Sequence, residues 1–147
     1  MNDSSSTTIG RALRWLFLAW GAAILIWLSM EDNNAIPVAV LATGASLLLT
    51  TAQTMRWLET YPIQRRYRLP GALLFGAAAG AGAAITTAIL MLLKTGLHSH
   101  VAPDYTFAQM LGMVERAPLW ALAGALMALG VALVLDSQPP SQTTADS

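Results

Sequence analysis

Reactive side chains are scarce in this chain of 147 residues, and one short run gathers the most varied set of them, including both histidines and the one lysine. Lys94, His98, His100, Asp104 and Tyr105 bring together an ammonium, two imidazoles, a carboxylate and a phenol. Two histidines at i and i+2 diverge on a helix but converge from a loop or strand. With Asp104 they would make a two-histidine, one-carboxylate set suited to zinc or iron. Gly96 reads as the cap of the preceding helix, which puts His98 and His100 in irregular backbone. Two histidines and an aspartate this close also arise by chance, so three readings stand side by side. They are a metal site, a solvated loop that caps the helix before it, and a partner-binding or pH-responsive loop.

A second group is basic. Arg56, Arg65, Arg66 and Arg68 alternate with Trp57, Tyr61 and Tyr67. Arginines beside a membrane attract anionic lipid at ~1 kcal/mol each and fix topology. Contact with lipid is the plain reading and docking of a partner the sharper one. Nucleic acid is not expected, because the formal net charge is +0 and no basic domain is present. Cysteine is absent, which removes disulfides, thiolate zinc sites, iron–sulfur clusters and cysteine nucleophiles. The run Gly76–Gly82 lacks the Lys-Ser/Thr that completes a phosphate-binding loop. No cofactor is implied.

The elements that must carry these groups follow from composition. Hydrophobic residues make up 55% of the chain and charged residues 11%, against about 25% charged in soluble domains. That excludes a soluble enzyme and a disordered chain. The charges cluster, leaving apolar stretches at 12–30, 36–55, 69–93 and 118–135, with Arg14 the only charge in any of them. Each is close to the ~20 residues that cross a ~30 Å hydrocarbon core. Lipid offers the backbone no hydrogen bonds, so such stretches become helices, and none alternates with the period of a barrel strand. Pro37, Pro70 and Pro118 suit first helical turns, where a missing N–H leaves nothing unpaired. The tails at 1–10 and 137–147 are rich in Ser, Thr, Asp and Gln and are expected to be disordered.

Between the third and fourth spans, Thr106 and Gln109 form a capping-box pattern. Phe107, Met110, Leu111 and Val114 then recur on one helical face. They predict a short amphipathic helix at about 107–116, lying on the interface or packed on the end of the helices as a lid. Six of the eight Lys/Arg fall on one side of this arrangement, so both termini are expected to be cytoplasmic, in a plasma or inner membrane.

Small residues, not hydrophobicity, join helices in lipid. Ala72, Gly76, Gly80 and Ala84 form such a face on the third span, which is therefore expected to be central. Ala121, Gly124, Ala125 and Ala128 form one on the fourth. Thr43, Ser46, Thr50 and Thr54 line the second span, where hydroxyls bond back to i−4 carbonyls or across to a neighbour. The expected fold is an all-α membrane protein, a bundle of four transmembrane helices with the short helix between the third and fourth. The expected function is a non-catalytic structural, assembly or accessory subunit, in contact with the lipid bilayer and with a membrane-protein partner or a second copy. The alternatives are a transporter or channel component, and a membrane enzyme with a metal at His98, His100 and Asp104.

Overall fold

The computed structural model describes residues 3–30, 34–60, 64–97 and 103–137. Helix is the only extended secondary structure among them. Five α-helices follow in order: α1 (Asp3–Leu28), α2 (Ala35–Thr60), α3 (Arg68–Leu97), α4 (Phe107–Glu115) and α5 (Ala117–Asp136). Four of them, α1, α2, α3 and α5, are long and apolar enough to cross a membrane. At 1.5 Å per residue the shortest of these, the 20-residue α5, extends about 30 Å.

The helix ends show why the chain turns where it does. α1 starts at Asp3, so the segment expected to be a disordered tail is helical from its third residue. Extending a helix already nucleated by an apolar span costs little. Beyond α1, the Asn34 side-chain oxygen accepts the Ile36 N–H at 3.0 Å and so caps α2. A single 3-10 turn, Arg65–Tyr67, leads straight into α3. Pro37, Pro70 and Pro118 all fall in the first turns of their helices.

α4 has the anticipated capping box. Gln109 N–H donates to Thr106 Oγ1 at 3.3 Å, and Thr106 N–H donates to Gln109 Oε1 at 2.8 Å. α5 follows after Arg116 alone. It stops where the Ser137 hydroxyl takes the Val134 carbonyl at 2.8 Å. Of the expected tail 137–147, residues 138–147 lie outside the described residues.

The long helices pack neighbour to neighbour in the order α1, α2, α3, α5, with α3 touching α2, α4 and α5. α3 is central, as its small residues predict. The α3–α5 seam is built from absent side chains. A Cβ on Gly76 would strike the Gly124 carbonyl and lie 2.6 Å from the Ala128 methyl, and one on Gly80 would strike the Trp120 carbonyl. On the other side of α3, the Ser46 hydroxyl of α2 donates to the Ala79 carbonyl at 2.7 Å, beside Gly82. Two close approaches on one helix explain why α3 holds most of the buried residues.

α1 attaches differently. It packs on α2 through Trp20, whose ring occupies the space above Gly44 and whose indole N–H donates to the Leu41 carbonyl at 2.9 Å. Among the described residues no substantial contact closes α1 onto α5. The arrangement is thus an open series around α3 and not a closed ring, because α1 offers bulky side chains where α3 offers none. The apolar core gathers at one end, where Trp27, Val38, Ala42, Leu90, Met91 and Tyr105 pack together. That end, covered by α4, is called the capped end below; the other is the arginine end.

Candidate functional site

The capped end joins four elements through polar groups. Lys94 lies in the last turn of α3 and is fully buried. Its ammonium sits 4.3 Å from the centre of the Trp27 ring, at the end of α1. A desolvated cation over an indole contributes about 2 kcal/mol, and the C-terminal end of a helix favours positive charge. Trp27 Nε1 is buried and has no hydrogen-bond partner among the described residues.

Tyr105 is equally buried. Its hydroxyl donates to the Asn34 carbonyl at 3.0 Å, and its N–H donates to Thr95 Oγ1 at 3.2 Å. One tyrosine thereby fastens the segment before α4 to the start of α2 and the end of α3.

Sequence reasoning took Gly96 as the cap of the third span, and this is corrected: α3 continues to Leu97 with Gly96 inside it. Lys94 does fall at the far end of that span, but it lies buried under Trp27 and not in an exposed loop. The signal was present in the spacing. Thr87, Leu90, Met91 and Lys94 recur at i, i+3, i+4 and i+7, and all four are buried. Asp104 is half-buried next to Tyr105. His98 and His100 lie outside the described residues, and no group of three metal-ligating side chains occurs among the described ones.

α4 divides its apolar residues between two faces. Met110 and Met113 pack onto the core cluster. Phe107, Leu111 and Val114 are exposed along the adjoining side. A cleft of about 360 Å³ runs beneath α4 between Ala35, Met91, Gln109 and Arg116. Beside it, an apolar groove of about 510 Å³ opens along α2 between Trp20 and Trp120.

The hydroxyl line on α2 is fully engaged. Thr43, Thr50 and Thr54 donate back to Ala39, Ser46 and Thr50 carbonyls, each at 2.7 Å, and Ser46 crosses to α3. Thr87 of α3 does the same toward Ala83 at 2.7 Å. A hydroxyl has one proton to donate, so none of these is left to ligate a passing solute through its hydrogen.

At the arginine end, Trp57 of α2 meets Phe75 of α3 edge to face, with centroids 6.3 Å apart. Arg56 is exposed in the last turns of α2. Arg66 places its guanidinium 4.6 Å above the Tyr67 ring. Arg66, Arg68 and Asp136 share a cleft of about 570 Å³ with Leu69, Ala132 and Leu135. The side chain of Arg65 lies outside the described residues. Sequence reasoning grouped the arginines and left Asp136 out, because the acidic residue lies 68 positions beyond Arg68 in the chain. The chain matches no model of a known protein family, no curated protein and no solved structure.

Proposed function

We propose that this protein is a non-catalytic, multi-pass membrane subunit that serves the structure or assembly of a larger membrane complex. The observation that carries the reading is the internal use of polar groups in the helices. Ser46, Thr43, Thr50, Thr54 and Thr87 all donate to backbone carbonyls. A subunit built this way spends its polar chemistry on holding helices together. The same fact weakens the transporter reading, in which the α2 hydroxyls form a solute path. The enzyme reading depends on His98 and His100 meeting Asp104.

The outward faces suit lipid and partners. α5 is apolar all round, and its partly buried residues Trp120, Ala121, Gly124, Ala125 and Ala128 form one stripe toward α3. The rest of its surface, including Leu122, Leu126, Met127 and Val131, is exposed. A helix hydrophobic on all sides belongs in lipid or protein. With six of eight Lys/Arg toward one side, both termini are cytoplasmic and the capped end is external. α4 then lies at the outer interface, with Phe107, Leu111 and Val114 toward the acyl chains.

Crosslinking in native membranes at native expression tests the functional reading. It should recover a defined partner protein or a homo-oligomer, and a protein that stays monomeric and partnerless refutes it. Thiol labelling tests the orientation. Because the chain contains no cysteine, a single cysteine at Asn2 or at Ser147 is the only reactive thiol. Both should label only when the cytoplasmic side is accessible.

A further inference from the structure

We infer that the groove along α2 holds one acyl chain of a phospholipid, with the phosphodiester of that lipid on Arg116 at its mouth. The inference rests on the membrane placement proposed above and adds a ligand to it. The groove lies where α1 and α5 leave α2 uncovered, since among the described residues no substantial contact joins those two helices. Trp20 of α1, Trp120 of α5 and Met113 of α4 line it together with Ala39, Thr43 and Gly44 of α2. Four helices thus build it, and it is more than the bare side of one. The Thr43 hydroxyl donates to the Ala39 carbonyl at 2.7 Å and the Trp20 indole N–H to the Leu41 carbonyl at 2.9 Å. With those donors engaged inside the protein, the lining suits an aliphatic occupant.

The dimensions favour a lipid chain over a helix. From Ala35 to Gly44 the groove follows α2 for about 14 Å at 1.5 Å per residue. One leaflet supplies half of the ~30 Å hydrocarbon core. The groove therefore has the reach of a chain that enters from one surface, whereas a transmembrane helix runs the full depth. Its mouth is polar. The groove and the cleft beneath α4 share Ala35 and Met113, so the two adjoin at the start of α2. Gln109 and Arg116 line the cleft, and among the described residues no acidic side chain lines either space. Arg116 is exposed, and its guanidinium offers paired N–H donors that match phosphate oxygens. Gln109 Oε1 accepts the Thr106 N–H at 2.8 Å, which leaves the amide NH2 to donate. A cationic mouth that opens on an aliphatic groove one leaflet deep is complementary to a phospholipid, which the surrounding bilayer supplies in excess.

The test uses the full chain in nanodiscs of phosphatidylcholine that contain a minor share of diacylglycerol with the same acyl chains. Lipids retained on release are counted by native mass spectrometry and scaled to their abundance. Phosphatidylcholine should be retained over diacylglycerol by about twofold to fivefold, the factor expected from one exposed ion pair. Arg116→Gln should abolish that preference. Ala39→Phe fills the groove and should lower retention of both lipids by about tenfold. Leu47→Phe, at an exposed position of α2 outside the groove, should behave as the parent protein. Equal scaled retention of the two lipids, an Arg116→Gln variant that keeps the preference, or Ala39→Phe retaining as much lipid as Leu47→Phe overturns the inference. A second copy of the chain released with the parent protein and lost in Ala39→Phe, with no lipid retained, assigns the groove to protein and overturns it too. Should Ala39→Phe lose its helical circular dichroism, Arg116→Gln decides alone, because that side chain is exposed. If the protein inserts but shows no preference, only the lipid site falls. If carbonate washing strips it from membranes, the placement falls as well.

Discussion

The α3–α5 seam offers a perturbation whose size follows from the geometry. In Gly80→Ala the added methyl falls on the Trp120 carbonyl, with the carbonyl carbon at 2.6 Å and the Ala121 Cα at 3.1 Å. These are backbone atoms, so no side chain can swing aside. Carbon atoms pack at about 3.5–4.0 Å, so the helices must part by roughly 1 Å. A gap of that size forfeits about a quarter to a half of each atomic contact, each worth ~0.1–0.2 kcal/mol. For roughly 30 close atom pairs along the seam the loss is about 1–3 kcal/mol, the usual range for overpacking. Gly130 lies in the same helix pair with nothing within 4 Å of its built Cβ, so Gly130→Ala reports the intrinsic effect of the substitution alone. The assay is reversible unfolding of the full chain in mixed micelles with increasing dodecyl sulfate, read by tryptophan fluorescence and helical circular dichroism. Gly80→Ala should be less stable than Gly130→Ala by about 1–3 kcal/mol. If the two variants unfold together, the seam is not held by close backbone approach and the reasoning is wrong.

Other perturbations separate the remaining contacts. Trp20→Phe removes the bond to the Leu41 carbonyl and should cost about 0.5–1.5 kcal/mol, seen as faster hydrogen exchange in α1 with α3 and α5 unchanged. Ser46→Ala deletes a bond between helices and should cost about 0.6 kcal/mol, whereas Thr50→Val deletes one within α2 and should shift the same unfolding midpoint less. Lys94→Ala empties a fully buried site and loses the contact with Trp27; a loss of about 2–4 kcal/mol is expected, with a changed Trp27 emission. Tyr105→Phe removes the bond from the phenol to the Asn34 carbonyl and should speed exchange at the amides near the start of α2, with little effect at the arginine end.

The helices were legible because a charge-free apolar stretch of this length has one way to satisfy its backbone in lipid. The close approaches at Gly76, Gly80 and Gly124 follow from the missing side chains, which are visible in the sequence, whereas the helix they meet is not. The burial of Lys94 was not legible, because a charge at a helix end is usually exposed and this one is covered by a tryptophan 67 positions earlier in the chain. Composition carries no trace of such a pairing; only the helical phase with Thr87, Leu90 and Met91 points to it. That no substantial contact joins α1 to α5 among the described residues was equally invisible, since the hydropathy of α1 says that it is covered and not by what. Phe107 and Met110 shared a face by periodicity, yet α4 turns its two methionines inward and leaves Phe107 outside. A nine-residue helix with apolar groups over much of its circumference has no single face that spacing can choose.

The seam between α3 and α5 also sets an order of events during synthesis. Gly80 leaves the ribosome 44 residues before Gly124, and at about 5–20 residues per second the interval is about 2–9 s. α1 and α2 can pair through Trp20 in that time, and α2 can engage α3 through Ser46. The glycine face of α3 has no partner until α5 arrives. In the membrane placement proposed above, it is for those seconds an open strip of backbone, available to any other helix with small residues at the same spacing. Correct assembly is therefore a race between a helix of the same chain and its neighbours, and crowding of the insertion site with such helices is the condition under which this protein would pair wrongly.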